Sequence, residues 1–174
     1  MKVYLAGPDV FEQNAMEIGE EKKQLCADYG FEGVYPLDNA ITDFAHDERT
    51  AFRIAAANEE LMDGCDLIMA NMQPWHGPSM DVGTAFEMGY MRAQKKPVFA
   101  YSDDLRKLSE RVQDHLGYDL MPTITGGLVD MEHRTVETFG ELTDNLMMIH
   151  AIEASGGSLH ESLEDALAAA RKIL

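Results

Sequence analysis

Apolar residues along the chain fall into short unbroken runs, separated by longer stretches where apolar positions are interspersed with polar ones. That is the pattern of buried strands alternating with amphipathic helices. Val3-Tyr4-Leu5-Ala6 is β-prone and stops at Gly7-Pro8, which predicts a strand ending in a loop. The charged stretch over 12–29, carrying Met16, Leu25 and Cys26, predicts a helix ended by Gly30. Residues 33–37 predict a second strand leading into the turn pair Asp38-Asn39. Over 48–63 the pattern is helical again, with Phe52, Ile54, Ala55, Leu61 and Met62 as its apolar face and Gly64 as its stop. Residues 66–71 predict a third strand, 73–79 a loop rich in turn formers and 81–94 a helix. A fourth strand is expected over 96–101, with Pro97 at its start, where a missing N–H is tolerated. From 102 to 139 a single helix is predicted, near 104–115, followed by a stretch interrupted by glycine and proline. Helical patterns over 145–154 and 162–173 flank Ser155-Gly156-Gly157-Ser158.

Strands alternating with helices imply right-handed βαβ units, so the expected fold is α/β: a parallel sheet with helices on both faces. The 174 residues and 19.4 kDa suit a single domain. Ligands of such a sheet bind beyond the carboxyl ends of the strands, where strand order reverses. Three polar segments fall at predicted strand ends: Gly7-Pro8-Asp9, Asp38-Asn39, and 75–81.

Charge narrows the partners. Acidic residues outnumber basic ones by 31 to 14, a net charge of −17, which repels phosphate and argues against nucleic-acid polymers and anionic membranes. Uncharged or cationic small molecules fit better, and the same charge also serves as a solvated surface. At 45% apolar and 26% charged residues, the chain is not disordered. Cys26 and Cys65 have no metal-type spacing, so neither a disulfide framework nor a zinc site is expected. No stretch approaches the roughly 18 apolar residues of a membrane span, and the opening run is too short for a signal peptide. A cytoplasmic protein with reduced thiols is the expectation.

The most informative stretch is Asp81-Val82-Gly83-Thr84-Ala85-Phe86-Glu87-Met88-Gly89-Tyr90. Asp81 falls at a predicted helix start, where a carboxylate caps backbone N–H groups and meets a favourable dipole; that alone would explain it. Glu87 lies between Phe86 and Met88, inside a helix expected to be packed. Glutamate is rarely buried without a task, the alternative being an ion pair with Arg92. Gly83 and Gly89 each cost a helix roughly 1 kcal/mol relative to alanine, which suggests close approach of a backbone or a ligand. A carboxylate in such a setting can act as a nucleophile on an electrophilic carbon or as a general base. Tyr4, at the end of the first strand, either orients it or packs as a core aromatic. Trp75, unusual in a loop, suits stacking on a ligand or an oligomer contact.

Four segments in order carry a family resemblance: Tyr4-Leu5-Ala6-Gly7-Pro8-Asp9-Val10-Phe11, Pro36-Leu37-Asp38-Asn39, Cys65-Asp66-Leu67-Ile68-Met69-Ala70-Asn71, and Asp81 through Gly89. Together they resemble the nucleoside 2-deoxyribosyltransferases, from residue 1 to about 101 and again at Asn145-Leu146-Met147. The resemblance implies a flavodoxin-like (Rossmann-like) α/β domain in a homo-oligomer, with pockets completed by a neighbour's C-terminal segment. The C-terminal helices, about 145–174, would then lie in oligomer contacts. It implies exchange of the nucleobase of 2'-deoxyribonucleosides with free nucleobases through a 2-deoxyribosyl group on a glutamate, with no metal or organic cofactor. That glutamate falls on Glu87, the orienting tyrosine on Tyr4, the sugar-binding aspartate on Asp81 and the subunit-crossing asparagine on Asn145, with Met147 lining a neighbour's base pocket. Gly7, Asp9, Phe11, Asp38, Asn39, Asn58, Trp75, Gly77 and Gly83 complete the expected substrate contacts.

Two departures stand out. Where many relatives place an aspartate that protonates the leaving base, this chain has Asn58, which cannot be a general acid, and leaves the proton to Asp38, water or another group. Trp75-His76-Gly77 replaces a Phe-Arg-Gly sequence, trading a permanent positive charge for a histidine. A 2'-deoxynucleoside 5'-monophosphate N-hydrolase is the alternative enzyme, and it needs cations or free N–H groups for phosphate. A non-catalytic nucleoside-binding module is the alternative from another class. Most of the twelve methionines are expected as core filler. His115, His133, His150 and His160 are expected on the surface.

Overall fold

The computed structural model describes residues 1–39, 41 and 45–173. In chain order its elements are β1 (Lys2–Ala6), α1 (Ala15–Asp28), β2 (Glu32–Val34), α2 (Glu48–Asp63), β3 (Leu67–Asn71), α3 (Val82–Ala93), β4 (Val98–Tyr101) and α4 (Leu108–Leu116). They continue with β5 (Met121–Pro122), β6 (Leu128–Val129), β7 (Thr135–Val136), α5 (Leu146–Ala154), β8 (Leu159–His160) and α6 (Leu163–Ile173). Five strands pair in parallel in the order β2-β1-β3-β4-β8, the flavodoxin-like arrangement. A three-stranded antiparallel sheet, β5-β6-β7, stands apart from it.

The central strands are apolar throughout because both of their faces are covered. Alternation divides the core in two. Val3, Leu5, Leu67, Met69 and Phe99 pack with Cys26 of α1 and with Leu163, Ala166, Leu167 and Ala170 of α6. Tyr4, Ala6, Ile68 and Ala70 pack with Met62 of α2, Met88 and Met91 of α3 and Ile152 of α5. Each fully buried side chain of this size contributes about 1.5–3 kcal/mol. The consequence for the site is that Tyr4 shares a face with α3.

Several expectations are corrected. The second strand stops at Val34, and Pro36–Asp38 forms a 3-10 turn because the Asp38 carboxylate accepts the Tyr35 N–H at 2.8 Å and Pro36 supplies a preset first position. A fifth parallel strand, β8, follows the glycine pair, so His160 is half-buried and hydrogen-bonded to Ser158 at 2.7 Å rather than on the surface. The 102–139 region holds the small sheet as well as α4. Helix α2 spans the expected residues, but Phe52 is 72% exposed and Ala55 is exposed, so the face assigned to the core is only partly there. Helix α6 covers its own sheet. Of the C-terminal segment expected in subunit contacts, the start of α5 stands out as exposed, with Leu146 and Met147. No described helix is long and apolar enough to cross a membrane.

Candidate active site

From β1 the chain moves to one side of the sheet and from β3 to the other, so the strand order reverses between them. The crevice lies beyond Ala6 and Asn71. After β3 the chain is pinned into an arch: Met72 N–H donates to the Tyr101 carbonyl at 2.8 Å, Trp75 N–H to the Ser79 carbonyl at 3.0 Å, and Pro74 bridges to Met80. This arch delivers Asp81 to the N-cap of α3, where its Oδ2 accepts Thr84 N–H at 2.8 Å and Thr84 Oγ1 at 3.0 Å. The capping role is therefore real. Oδ1 of Asp81 makes no hydrogen bond among the described residues.

Glu87 follows almost two turns later and faces the sheet. Tyr4, fully buried, donates its hydroxyl to Glu87 Oε1 at 2.7 Å across 83 residues of sequence. Among the described residues no lysine or arginine pairs with Glu87, Arg92 included. Burial pushes its carboxyl up to about 7; the Tyr4 hydrogen bond opposes this and the Asp81 charge adds to it. Burial and the neighbouring Glu87 hold the Tyr4 hydroxyl well above its ordinary range, so it remains a donor.

Beside Asp81 opens a cavity of about 680 Å³ lined by Phe11, Trp75, His76, Met80, Asp81 and Val82. Phe11 stacks on Trp75 at 5.9 Å and 24°, and His76 sets its edge against the indole at 4.8 Å. His76 has a φ of 54°, a left-handed conformation uncommon for a side-chain-bearing residue, and Gly77 follows with open space around its α-carbon. Trp75 also lines a second cavity of about 330 Å³, with Asp9, Glu12, Asp103 and Asp104 on its walls. A larger concavity of about 870 Å³, lined by 45–51 and Ile54, contains Asp47, which caps α2. Neither Tyr4 nor Glu87 lines any of these three cavities; Asp81, on the wall of the 680 Å³ one, is the link to the pair, since its charge adds to the rise of the Glu87 carboxyl.

The other expected residues divide. At Gly7 a side chain would meet Asp9 Oδ2 at 2.5 Å and Asn71 Cβ at 2.7 Å, so close packing requires glycine. Gly83 has Asp81 Oδ2 3.0 Å from where a Cβ would sit, whereas Gly89 has nothing within 4 Å; close approach holds for the first and not for the second. Asp9 is taken up by Lys22 at 2.5 Å and by Asn71 Nδ2 at 3.1 and 3.2 Å. Asp38 pairs with Lys23 at 2.8 Å, and Asn39 bonds the Pro36 carbonyl and Ile41 N–H; neither lines the cavity beside Asp81. Asn58 carries a buried Oδ1 without a hydrogen-bond partner. Asn145 caps α5 through Met147 N–H at 3.0 Å and donates to Glu137 at 2.8 Å; it and Met147 are exposed, and neither lines the cavity beside Asp81.

Sequence reasoning did not single out Lys22, Asn71 or Asp144. Lys22 reads as one charge among many on α1, and only the fold brings it to Asp9. Burial pushes both cysteine thiols up to about 11, which makes them poor nucleophiles. Among the described residues, no three His, Cys, Asp or Glu side chains converge to hold a metal ion.

The fold and this pair of groups define a flavodoxin-like domain carrying a desolvated carboxylate held by a tyrosine at the switch point. The model of the nucleoside 2-deoxyribosyltransferase family matches residues 3–147. An uncharacterised protein of Schizosaccharomyces pombe is 36% identical over 185 residues, spanning 99% of this chain and 87% of that one. A 2-desoxiribosyltransferase from Leishmania mexicana superposes with a TM-score of 0.72 at 27% identity, covering 98% of this chain and 97% of its own. A protein from Enterococcus faecalis V583 does so with a TM-score of 0.62 at 26% identity, covering 100% and 99%. The chain belongs to the nucleoside 2-deoxyribosyltransferase family.

Proposed function

We propose that this protein transfers the 2-deoxyribosyl group of a 2'-deoxynucleoside from one nucleobase to another, with Glu87 as the nucleophile. The observation that carries this reading is the Tyr4 to Glu87 hydrogen bond of 2.7 Å around a carboxyl whose pKa burial lifts to about 7. A Glu87 oxygen forms a bond to C1' as the C1'–N bond breaks; the electron pair leaves with the base, which gains a proton. In the second step a nitrogen of the incoming base attacks C1', the C1'–O bond to Glu87 breaks with its electron pair returning to the carboxylate, and the nitrogen releases its proton to water, balancing the proton gained by the first base. Positive charge developing at C1' strengthens its attraction to the carboxylate in the transition state more than in the ground state. Desolvation makes the ionised Glu87 more reactive, and the Tyr4 hydroxyl keeps a useful fraction of it ionised near neutral pH.

Asp81 is assigned to the sugar hydroxyls through its unoccupied Oδ1, and Trp75 with Phe11 to a face of the base. The buried, unpartnered Oδ1 of Asn58 suits an N–H of the base. Exposed Asn145 and Met147 are assigned to a neighbouring subunit's pocket in a homo-oligomer, an arrangement that also covers exposed Phe52, Val82 and Phe86. A 5'-phosphate is disfavoured. Of the residues lining the cavity beside Asp81 and the adjoining acidic one, His76 is the one that can carry positive charge. The Tyr4 and Glu87 pair disfavours a purely binding role. Incubation with a deoxynucleoside and a second free base, followed by chromatography, tests the reading. A new deoxynucleoside is expected; free 2-deoxyribose alone would mean a hydrolase, and no change would mean a binding module.

A further inference from the structure

Asp144 is 2% exposed and is surrounded by donors from three parts of the chain. Its Oδ1 accepts Ser79 Oγ–H at 2.5 Å and Asn145 N–H at 2.8 Å; its Oδ2 accepts Met80 N–H at 3.1 Å and Arg111 Nη2–H at 3.3 Å. Ser79 and Met80 immediately precede Asp81, and Asn145 caps α5. One carboxylate thus ties the arch that carries Asp81 to the helix start that carries Asn145.

The cluster is not arranged for stability alone. Arg111 is buried, yet its Nε and Nη1 have no hydrogen-bond partner and its contact to Asp144 is long. Buried ion pairs of this kind gain little over apolar packing, while they fix the register of the elements they join. An asparagine at 144 does not replace the carboxylate, because wherever its NH2 points it faces at least one group that only donates: Asn145 N–H on one side, Met80 N–H and Arg111 Nη2–H on the other.

We propose that Asp144, held by Arg111, is a positioning residue for the transfer reaction: it sets the place of Asp81 without touching the substrate. This rests on the function proposed above. The test is steady-state base exchange by Asp144→Asn, alone and combined with Asp81→Asn, at a temperature well below both melting points and with folding verified by circular dichroism. Asp144→Asn is expected to lower kcat/KM by about 10- to 100-fold, the scale of a misplaced binding group. In the Asp81→Asn background the same change is expected to cost no more than about 3-fold, because its route through Asp81 is already lost. A variant with a lowered Tm and unchanged kcat/KM, or one that costs the same factor in both backgrounds, overturns the positioning role. Should Asp144→Asn fail to fold, Ser79→Ala removes one donor and keeps the ion pair, and a loss of about 3-fold with the same non-additivity is expected; full additivity or no loss overturns the proposal. A wild-type chain without base exchange overturns the proposed function and this inference together, whereas an active wild type with an unaffected variant overturns this inference alone.

Discussion

Asp9 and Glu87 are carboxylates at the carboxyl end of one sheet, on opposite faces of it, and their surroundings are opposite too. Asp9 meets a buried lysine at 2.5 Å and the Asn71 amide. Burial pulls the Lys22 ammonium down from its ordinary range, with Asp9 opposing, so each charge is offset by the other. Among the described residues Glu87 hydrogen-bonds a neutral hydroxyl and no cation, and its pKa rises to about 7. A desolvated carboxylate with a cation is an architectural link; the one without a cation is the group we propose as the nucleophile. Tyr4 alternates with Val3 and Leu5 along β1, and that single period-2 step sends the hydroxyl to the α3 side.

Breaking the reactive side is expected to have the largest effect. Glu87→Ala should keep the fold and lose base exchange by a factor of about 10³ or more, measured by single-turnover chromatography. Mixing Glu87→Ala with Asn145→Ala under subunit exchange asks whether that side is complete in one chain. Recovered activity is expected from sites that combine an intact Glu87 with a neighbour's intact Asn145, and no recovery after verified exchange would refute a shared pocket. Tyr4→Phe removes the hydrogen bond that favours the ionised carboxyl. It should lower kcat/KM about 10- to 100-fold and move the acid limb of the pH profile, near 7 in the wild type, upward. A downward shift would contradict the assigned roles.

The architectural side should respond in stability instead. Asp9→Asn leaves Lys22 half of a broken pair and should cost about 2 kcal/mol in urea unfolding, with base exchange changed only a few-fold. Glu87→Gln should do the reverse. With the folded-state pKa raised from 4.5 to about 7, Glu87's favourable contribution is full below pH 4.5 and is lost as the pH rises through about 7. At pH 8 the Gln variant should therefore be more stable than the wild type, on the order of 1–3 kcal/mol, and inactive. Equal stability at that pH would mean Glu87 is not desolvated.

The elements that bring Tyr4 and Glu87 together were legible in the sequence, and the partners of Asp9 were not. The strands around Tyr4, Ile68 and Phe99 are unbroken apolar runs, and Asp81 marks a helix start, so Tyr4 and Glu87 come to one face of the sheet once α3 is laid over β3; the 2.7 Å contact itself is what the fold adds. The ion pair of Asp9 depends on where α1 crosses the sheet, which charge patterning along α1 does not encode. Strand β8 is two residues long and the β5-β6-β7 strands are no longer, too short for alternation to register. Tyr35-Pro36-Leu37 carries strand-forming residues, and a side-chain bond from Asp38 overrides them. Phe52 has the spacing of a core residue, but spacing does not say whether an apolar face meets its own sheet or another molecule.

The most direct measurement traps the enzyme-bound sugar. Reaction with a 2-fluorinated deoxyriboside slows release of the covalent intermediate because the fluorine destabilises the cation-like transition state. After proteolysis, mass spectrometry should find the added sugar on the peptide containing Glu87, absent in Glu87→Gln. Base exchange without any adduct, or an adduct on Asp81, Asp9 or another residue, would contradict the account.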